Sequence, residues 1–532
     1  MRARPEQEPE QEPEPEQEPE PESEPEPETE ADPDADPDPD TDAERLCFST
    51  MPLIVGLDIG TQSLKAVVCG DDLRVLGEAS VSYPIAYPRP GWAEQDPHVW
   101  ERAAGPAIAA ALAAAGRAAR DVAALGVAGQ LDGCVPVDAA GAALGPCLIW
   151  LDRRATGHLP ALPADFSATT GQVADAGHMA AKMRWLDEHR PGAARFHQPV
   201  SYLVERLAGV AVIDHALAST TMLYDLGTRA WAPRLLDAFA VDAARLPAIA
   251  DAAAPAGALH AAGAALTGLR SGIPVAVGTG DDFATPLGAG LVAPGRIACV
   301  VGTAEVVGAI SGTAILDPGG LVETHAYPTG AWFVENPGWM SGGALAWLGE
   351  LLGEPDAAAL DAAAAAVAPG ADGLTFLPAL SGAMTPEWHA GARGALYGLT
   401  PAHGRGHVAR ALLEAMAHAC RDVIERLGAL GLPAGEVLLL GGGGASRPWA
   451  HIRADVTGVP HAIAARSDTC AVGAAMLAAV AAGAAPDLAA AAAHAPPPAE
   501  VIDPDPRARA AHDDAYRRYR ALFEALRPLF AW

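Results

Sequence analysis

Four short turns hold the side chains best suited to chemistry. The first is Asp58-Ile59-Gly60-Thr61-Gln62-Ser63, directly after the apolar run 53–57. An acid at the end of a buried strand is costly unless paired, and a divalent metal ion is one partner that offsets the cost. Gly60 lets the main chain approach a phosphate, and Thr61, Gln62 and Ser63 offer donors. A plain hairpin turn accounts for the same residues. The second turn is Gly278-Thr279-Gly280-Asp281-Asp282, after the run 274–277. A carboxylate there either caps a helix or acts as a general base where strand ends open into a ligand cleft. The third, Gly302-Thr303-Ala304, joins small residues to one hydroxyl, as a phosphate turn or an ordinary strand connection does. The fourth is Gly441-Gly442-Gly443-Gly444-Ala445-Ser446. Four glycines in a row cost backbone entropy and suit a place where something flat or charged lies against the main chain.

The elements that must position these turns are short apolar strands. Residues 53–58 and 64–69 read as a hairpin around the first turn. Further strands are expected at 124–128, 134–137, 274–277, 297–301 and 437–440. Helices are expected at 178–189, 342–352, 407–428 and 470–482, with an Ala-rich helix after Trp100. Strands and helices mix throughout, so the expected class is α/β with some antiparallel pairing. The chain of 532 residues predicts more than one domain. Gly288-Ala289-Gly290 is the best boundary. This gives a tail over 1–50, a first domain over 51–289, a second over 290–505 and a terminal helix over 506–532.

Composition narrows the chemistry. Residues 1–50 carry 20 acidic and 3 basic residues in Glu-Pro and Asp-Pro repeats, which predicts an extended, disordered and dispensable tail ahead of Met51. The rest keeps a net charge of −14, which argues against nucleic acid and anionic membrane as partners. Cys47, Cys69, Cys134, Cys147, Cys299, Cys420 and Cys470 are scattered and read as small buried residues in a reducing compartment. With no leader-like start and no membrane-spanning run, a cytoplasmic setting is expected. The Walker phosphate-loop pattern is absent. The glycine run lacks the spacing of a Rossmann dinucleotide site.

The order of the turns resembles the ATPase fold shared by actin, heat-shock chaperones and sugar kinases: two ribonuclease-H-like domains with an inter-domain cleft. The segments between them resemble the FGGY carbohydrate kinases, the xylulokinase branch above all. These are Gly56–Thr61, Gly91-Trp92-Ala93-Glu94-Gln95-Asp96-Pro97, Gly129-Gln130-Leu131-Asp132-Gly133, Ile149-Trp150-Leu151-Asp152-Arg153-Arg154, Gly278–Asp281, Gly302-Thr303, Phe376-Leu377-Pro378, Ala392-Arg393-Gly394 and Gly441–Ser446. The resemblance implies phosphorylation of a ketose or polyol by ATP with Mg2+, D-xylulose being the first substrate to try. It implies Asp281 as catalytic base with Asp282 in support, and Asp58 near the metal. Gly60, Thr61, Gln62, Gly302 and Thr303 would hold phosphates. Gly442, Gly443 and Ser446 would lie on the adenosine side. Gln130, Leu131, Asp132, Trp150, Asp152 and Arg153 would form the sugar turns. A homodimer is implied on the same ground.

Departures from the family pattern bear on the substrate. Leu131-Asp132 stands where xylulokinases carry Met-His, exchanging a donor for an acceptor. The turn Ser381–Pro386 lacks a Glu-Arg pair. The Arg-Glu pair of glycerol kinases after the glutamine is also absent, which lowers glycerol as a substrate. Another pentulose such as ribulose, or a sugar alcohol, stays open as acceptor. So do an actin-like ATPase and a sugar-binding regulator. Trp92, Trp150, Trp339 and Trp347 read as core or cleft-wall packing, with Trp150 the exception on account of its neighbour Asp152; His178 and His418 read as structural, and Lys182 as a helix-surface lysine.

Overall fold

In the computed structural model, which describes residues 52–354 and 356–530, the first apolar run becomes β1 (Leu53–Ile59) and folds back on β2 (Ser63–Cys69) as the expected hairpin. The expected extended tail, with Cys47, lies outside the described residues. β3 (Val75–Ser82) continues the antiparallel meander, and β4 (Val122–Gly129) runs parallel to β1 on its other side. β5 (Pro255–Ala258), β6 (Pro274–Ala276) and β7 (Thr279–Gly280) complete a sheet ordered β5-β6-β4-β1-β2-β3, with β7 at the end of β4.

The period-two alternation of a strand decides which residues face the site. Leu53, Val55, Leu57 and Ile59 enter a core with Trp100 and Ile108 of α1 (His98–Ala115) and Leu203 and Leu207 of a helix over Pro199–Ala208. Ile54, Gly56 and Asp58 therefore face the opposite side. Ala124, Gly126 and Ala128 of β4 share that side.

A second sheet repeats the plan. β8 (Arg296–Val301) pairs antiparallel with β9 (Ala304–Ser311) and parallel with β12 (Glu436–Leu440), as β1 does with β2 and β4. With β10 (Glu323–Ala326), β11 (Trp332–Met340), β13 (His461–Ile463) and β14 (Glu500–Ile502), the order is β10-β11-β9-β8-β12-β13-β14. Helices over Arg405–Ala429 and Arg447–Thr457 cover its outer face. The helix Arg509–Leu526 packs Tyr519 and Phe523 against Leu377 and Phe530.

Two helices lie between the sheets: α2 (Asp281–Gly288) and α3 (Cys470–Ala481). They share one core with Ile54 and Ala124 of the first sheet and Ala298, Leu438 and Leu440 of the second. The helices approach backbone to backbone. A Cβ on Gly288 would meet the Thr469 carbonyl oxygen at 2.0 Å, and one on Gly473 would meet that of Ala284 at 2.1 Å. α3 comes from the late part of the chain yet lies on the first sheet, where Cβ atoms on Gly56 and Gly126 would meet the oxygens of Ala471 and Ala474 at 1.9 Å. The expected α/β class with antiparallel pairing is what forms. No helix among the described residues is long and apolar enough to cross a membrane.

Candidate active site

Asp281 and Asp282 open the first turn of α2, each partly exposed. Gly278 takes a left-handed φ of 83°, which turns the chain from β6 toward the head of α2, and a Cβ there would meet the Val127 oxygen at 2.2 Å. Thr279 Oγ1 donates to Asp214 Oδ2 (2.8 Å), and Asp214 also accepts from the amides of Leu217 (3.0 Å) and Ala216 (3.1 Å). The turn before Asp281 is thus pinned by a buried carboxylate. Burial raises Asp281 to about 6, opposed by backbone amides and reinforced by Asp132. Burial, then Asp281 and Asp132, raise Asp282 well above the carboxylate range.

Asp58 is 6% exposed, and its Oδ1 has no hydrogen-bond partner. Burial, then repulsion from Asp281 and Asp468, lifts it to about 7. Asp468 itself pairs with Lys65 of β2. Three carboxylates from three segments thus act on one another, and Lys65 is in direct contact with Asp468. The turn after Asp58 is closed by Gly60 N–H donating to Ser63 O (2.9 Å), and the third turn is closed more tightly, by Gly302 N–H donating to Ala304 O (2.8 Å).

The expected sugar and phosphate turns are wired together. Gln130 Nε2 donates to Gln95 Oε1 (2.7 Å), and Gln95 Nε2 donates to Thr61 O (2.5 Å). Trp150 Nε1 donates to Thr61 Oγ1 (3.1 Å). Leu131 Cδ2 lies 3.2 Å from a Cβ placed on Gly280, beside the proposed base. Gln62 keeps its side chain exposed. Asp132 takes a left-handed φ of 59°, held by Gln198 Oε1 accepting its N–H (2.9 Å) and Lys182 Nζ donating to its O (2.8 Å).

Two residues of the Trp150–Arg153 segment turn away from this constellation. Asp152 is fully buried, its oxygens occupied by the Ala93 amide (2.7 Å) and by Arg154, whose guanidinium stacks on Trp92 with 3.6 Å to the ring centroid. Exposed Arg153 pairs with Asp175. Trp92 therefore is packing, as expected.

In the second half, Gly302, Thr303 and Gly442 are exposed at the mouths of their turns. Gly441 has φ 76°, and a Cβ on Gly443 would strike Val301 Cγ1 at 2.6 Å, so the run lies flat on β8. Ser446 caps the helix Arg447–Thr457 by accepting from Trp449 N–H (3.2 Å) and donates to Asp361. Its hydroxyl is engaged within the protein. Under the Gly302-Thr303 turn, Arg453 grips Glu305 with two bonds of 2.6 Å, and Ser341 Oγ donates to the same carboxylate (2.6 Å); both charged side chains are buried.

Several site residues escape a reading of residue types. Lys182 is not a surface lysine: it is fully buried, its ammonium held by the oxygens of Asp132 and Gly177. Its helix lies on the core of the first half, among Met179, Met183 and Leu186. His178 stands at the N-cap position of that helix, and its ring faces Asp132. Asp214 and Asp468 carry no local motif. Gln95 lay within a family segment without a role attached.

The comparisons agree with this geometry. The FGGY family of carbohydrate kinases, N-terminal domain, matches residues 53–288, and its C-terminal domain matches 297–482. Xylulose kinase of Escherichia coli is 31% identical over 489 residues, 90% of this chain and 100% of that protein. Glycerol kinase of Gloeobacter violaceus is 34% identical over 448 residues, 81% of this chain and 88% of the relative. The crystal structure of xylulose kinase from Rhodospirillum rubrum superposes with a TM-score of 0.81 at 33% identity, covering 90% of this chain and 100% of the other. Both halves of the fold and the turns between them are accounted for, and the chain belongs to the FGGY family of carbohydrate kinases, phosphotransferases that act on sugars and polyols.

Proposed function

We propose that this kinase transfers the γ-phosphoryl group of ATP to a hydroxyl of a ketose or polyol, D-xylulose first, giving D-xylulose 5-phosphate, with Asp281 as general base. The observation that carries the reading is a carboxylate raised to about 6, held by a pinned turn where the strand ends meet the cleft. Such a group is ionised at neutral pH and still basic enough to accept a proton. The acceptor hydroxyl gives its proton to Asp281 as its oxygen bonds to the γ-phosphorus. The bond from that phosphorus to the β,γ-bridging oxygen breaks, and ADP leaves. With the Gly60 and Gly302 amides closing their own turns, the Thr61 and Thr303 amides and hydroxyls are the groups that would meet the phosphates, and Gly442, with open space where a Cβ would stand, would leave room for the adenosine while Gly443 seats the run on Val301.

A divalent cation fits beside Asp58. Its buried oxygen lacks a partner, and Asp281 and Asp468 add negative charge around it. Asp58 would hold Mg2+, which when bound supplies positive charge to the phosphates. Gln95 and Trp150 tie the Thr61 turn to the sugar side, so the two substrates are positioned by one hydrogen-bonded unit.

The similarity to glycerol kinases favours a second acceptor, a shorter polyol. ADP release by the purified protein over a panel of xylulose, ribulose, alditols and glycerol separates these, with Asp281→Ala alongside. Sugar-dependent ADP release lost in the variant supports the proposal. Sugar-independent hydrolysis, or indifference to Asp281, overturns it.

A further inference from the structure

Asp132 stands where the sugar turn exchanges an imidazole for a carboxylate, and an imidazole reaches it from elsewhere. His178 Nδ1 lies 3.1 Å from Asp132 Oδ2, and its Nε2 lies 3.6 Å from Glu323 Oε1. Glu323 belongs to β10 of the second sheet, and its Oε1 also accepts the Val173 amide (2.7 Å). Gln172 Nε2 lies 3.4 Å from His178 Nδ1 and donates to Thr220 O (3.0 Å). The ring is thus clamped between carboxylates of the two halves.

The other oxygen, Asp132 Oδ1, is buried and has no partner. The backbone around it is fixed by Gln198 and Lys182, and Gln198 is itself tied to Leu217 O (2.9 Å) and Thr220 Oγ1 (3.0 Å). A buried carboxylate oxygen left unpaired is expensive, and a ligand hydroxyl that donates to it relieves the cost. Burial alone would lower His178, but Asp132 and Glu323 outweigh it and raise the ring well above its ordinary value, which keeps it a cation between them. The nearby acids Asp281, Asp282 and Glu335 leave the site rich in negative charge.

We propose that His178 is a positioning residue for acceptor specificity: it holds the Asp132 carboxylate so that Oδ1 accepts a hydrogen bond from a hydroxyl of a neutral sugar or polyol, while sugar acids are excluded. This rests on the kinase reading above, and deepens it by naming the acceptor class.

The test uses the full chain with D-xylulose, xylitol and D-xylonate. Steady-state ADP release is measured, and acceptor binding is followed separately by tryptophan fluorescence without nucleotide. The neutral acceptors bind and D-xylonate does not. Asp132→Asn and His178→Leu each raise the acceptor KM by about tenfold or more, the loss of one charge-assisted hydrogen bond, and leave the KM for ATP within about twofold. The double variant is no worse than the weaker single, because both disrupt one pair. His178→Asn, whose amide nitrogen stands where Nδ1 does and still donates toward Asp132, recovers most of the affinity. An unchanged acceptor KM in His178→Leu, multiplying effects in the double variant, or D-xylonate bound as well as D-xylulose overturns the assignment. Should His178→Leu fail to fold, Asp132→Asn decides by the same readouts. Absence of ADP release with every acceptor would sink the kinase reading alone, since fluorescence still tests the pair.

Discussion

Asn in place of Asp58 should stabilise the metal-free protein while destroying its phosphate chemistry. Asp58 is buried, lacks a partner at Oδ1 and is lifted from 3.8 to about 7. The native state therefore binds the proton more tightly than the unfolded chain. Below about pH 4 both states hold it and nothing is lost. Between about pH 4 and about 7 the unfolded chain releases its proton first, and native stability falls as pH rises; above about 7 the loss is complete. A shift of about three units is worth about 4 kcal/mol at pH 8, and about 1–2 kcal/mol at pH 5. Asn mimics the protonated form, so the variant gains these amounts. For a body of this length about 1 kcal/mol moves the Tm by about 1 °C. Scanning calorimetry in EDTA should show Asp58→Asn melting about 4 °C above the parent at pH 8 and about 1–2 °C above it at pH 5. Added Mg2+ and ADP should raise the parent's Tm more than the variant's. A variant that melts at or below the parent at pH 8, or a gap that does not shrink toward pH 5, would refute the reasoning.

Other consequences are as direct. With Asp281 at about 6, kcat/KM for the acceptor should fall below about pH 6 as the base is protonated, with the limb absent from Asp281→Ala residual activity. Arg453→Met strands the buried Glu305 carboxylate and should cost about 3–5 kcal/mol in urea unfolding, with most of the loss recovered when Glu305→Leu is added. Gly126→Ala forces a Cβ to 1.9 Å from the Ala474 oxygen, so the loss should exceed the about 1–3 kcal/mol of ordinary overpacking, read as a lowered Tm or insoluble protein. If Gly126→Ala melts with the parent, the helix–sheet approach is looser than described.

Much of this was legible because it is local. The β1–β2 hairpin follows from two apolar runs flanking one polar turn, and the strands under all four glycine turns form as their hydrophobic runs require. Asp58 and Asp281 stood out because an acid at a strand end needs a reason. The helix at 178–189 was legible too, but not the burial of Lys182, because an amphipathic period fixes one face only and Lys182 meets the Asp132 oxygen across a 50-residue separation. His178 and Asp132 become partners only once the 172–178 segment folds back over the sugar turn. Asp152 has the type of a ligand, yet Arg154 two residues on occupies it. Ser446 likewise has a ligand's hydroxyl and a cap's position. Residue type announces capacity; which neighbour claims that capacity is a tertiary fact.

The placement of α3 has a consequence for how the protein is made. The inner face of the first sheet, with Ile54, Gly56, Ala124 and Gly126, is covered by Cys470–Ala481. During translation at about 5–20 residues per second, that sheet emerges from the ribosome on the order of ten seconds or more before its cover does. The nascent first half must hold an unfinished apolar surface throughout. It is a candidate for chaperone capture in the cell, and a fragment ending near the natural domain boundary should aggregate rather than fold.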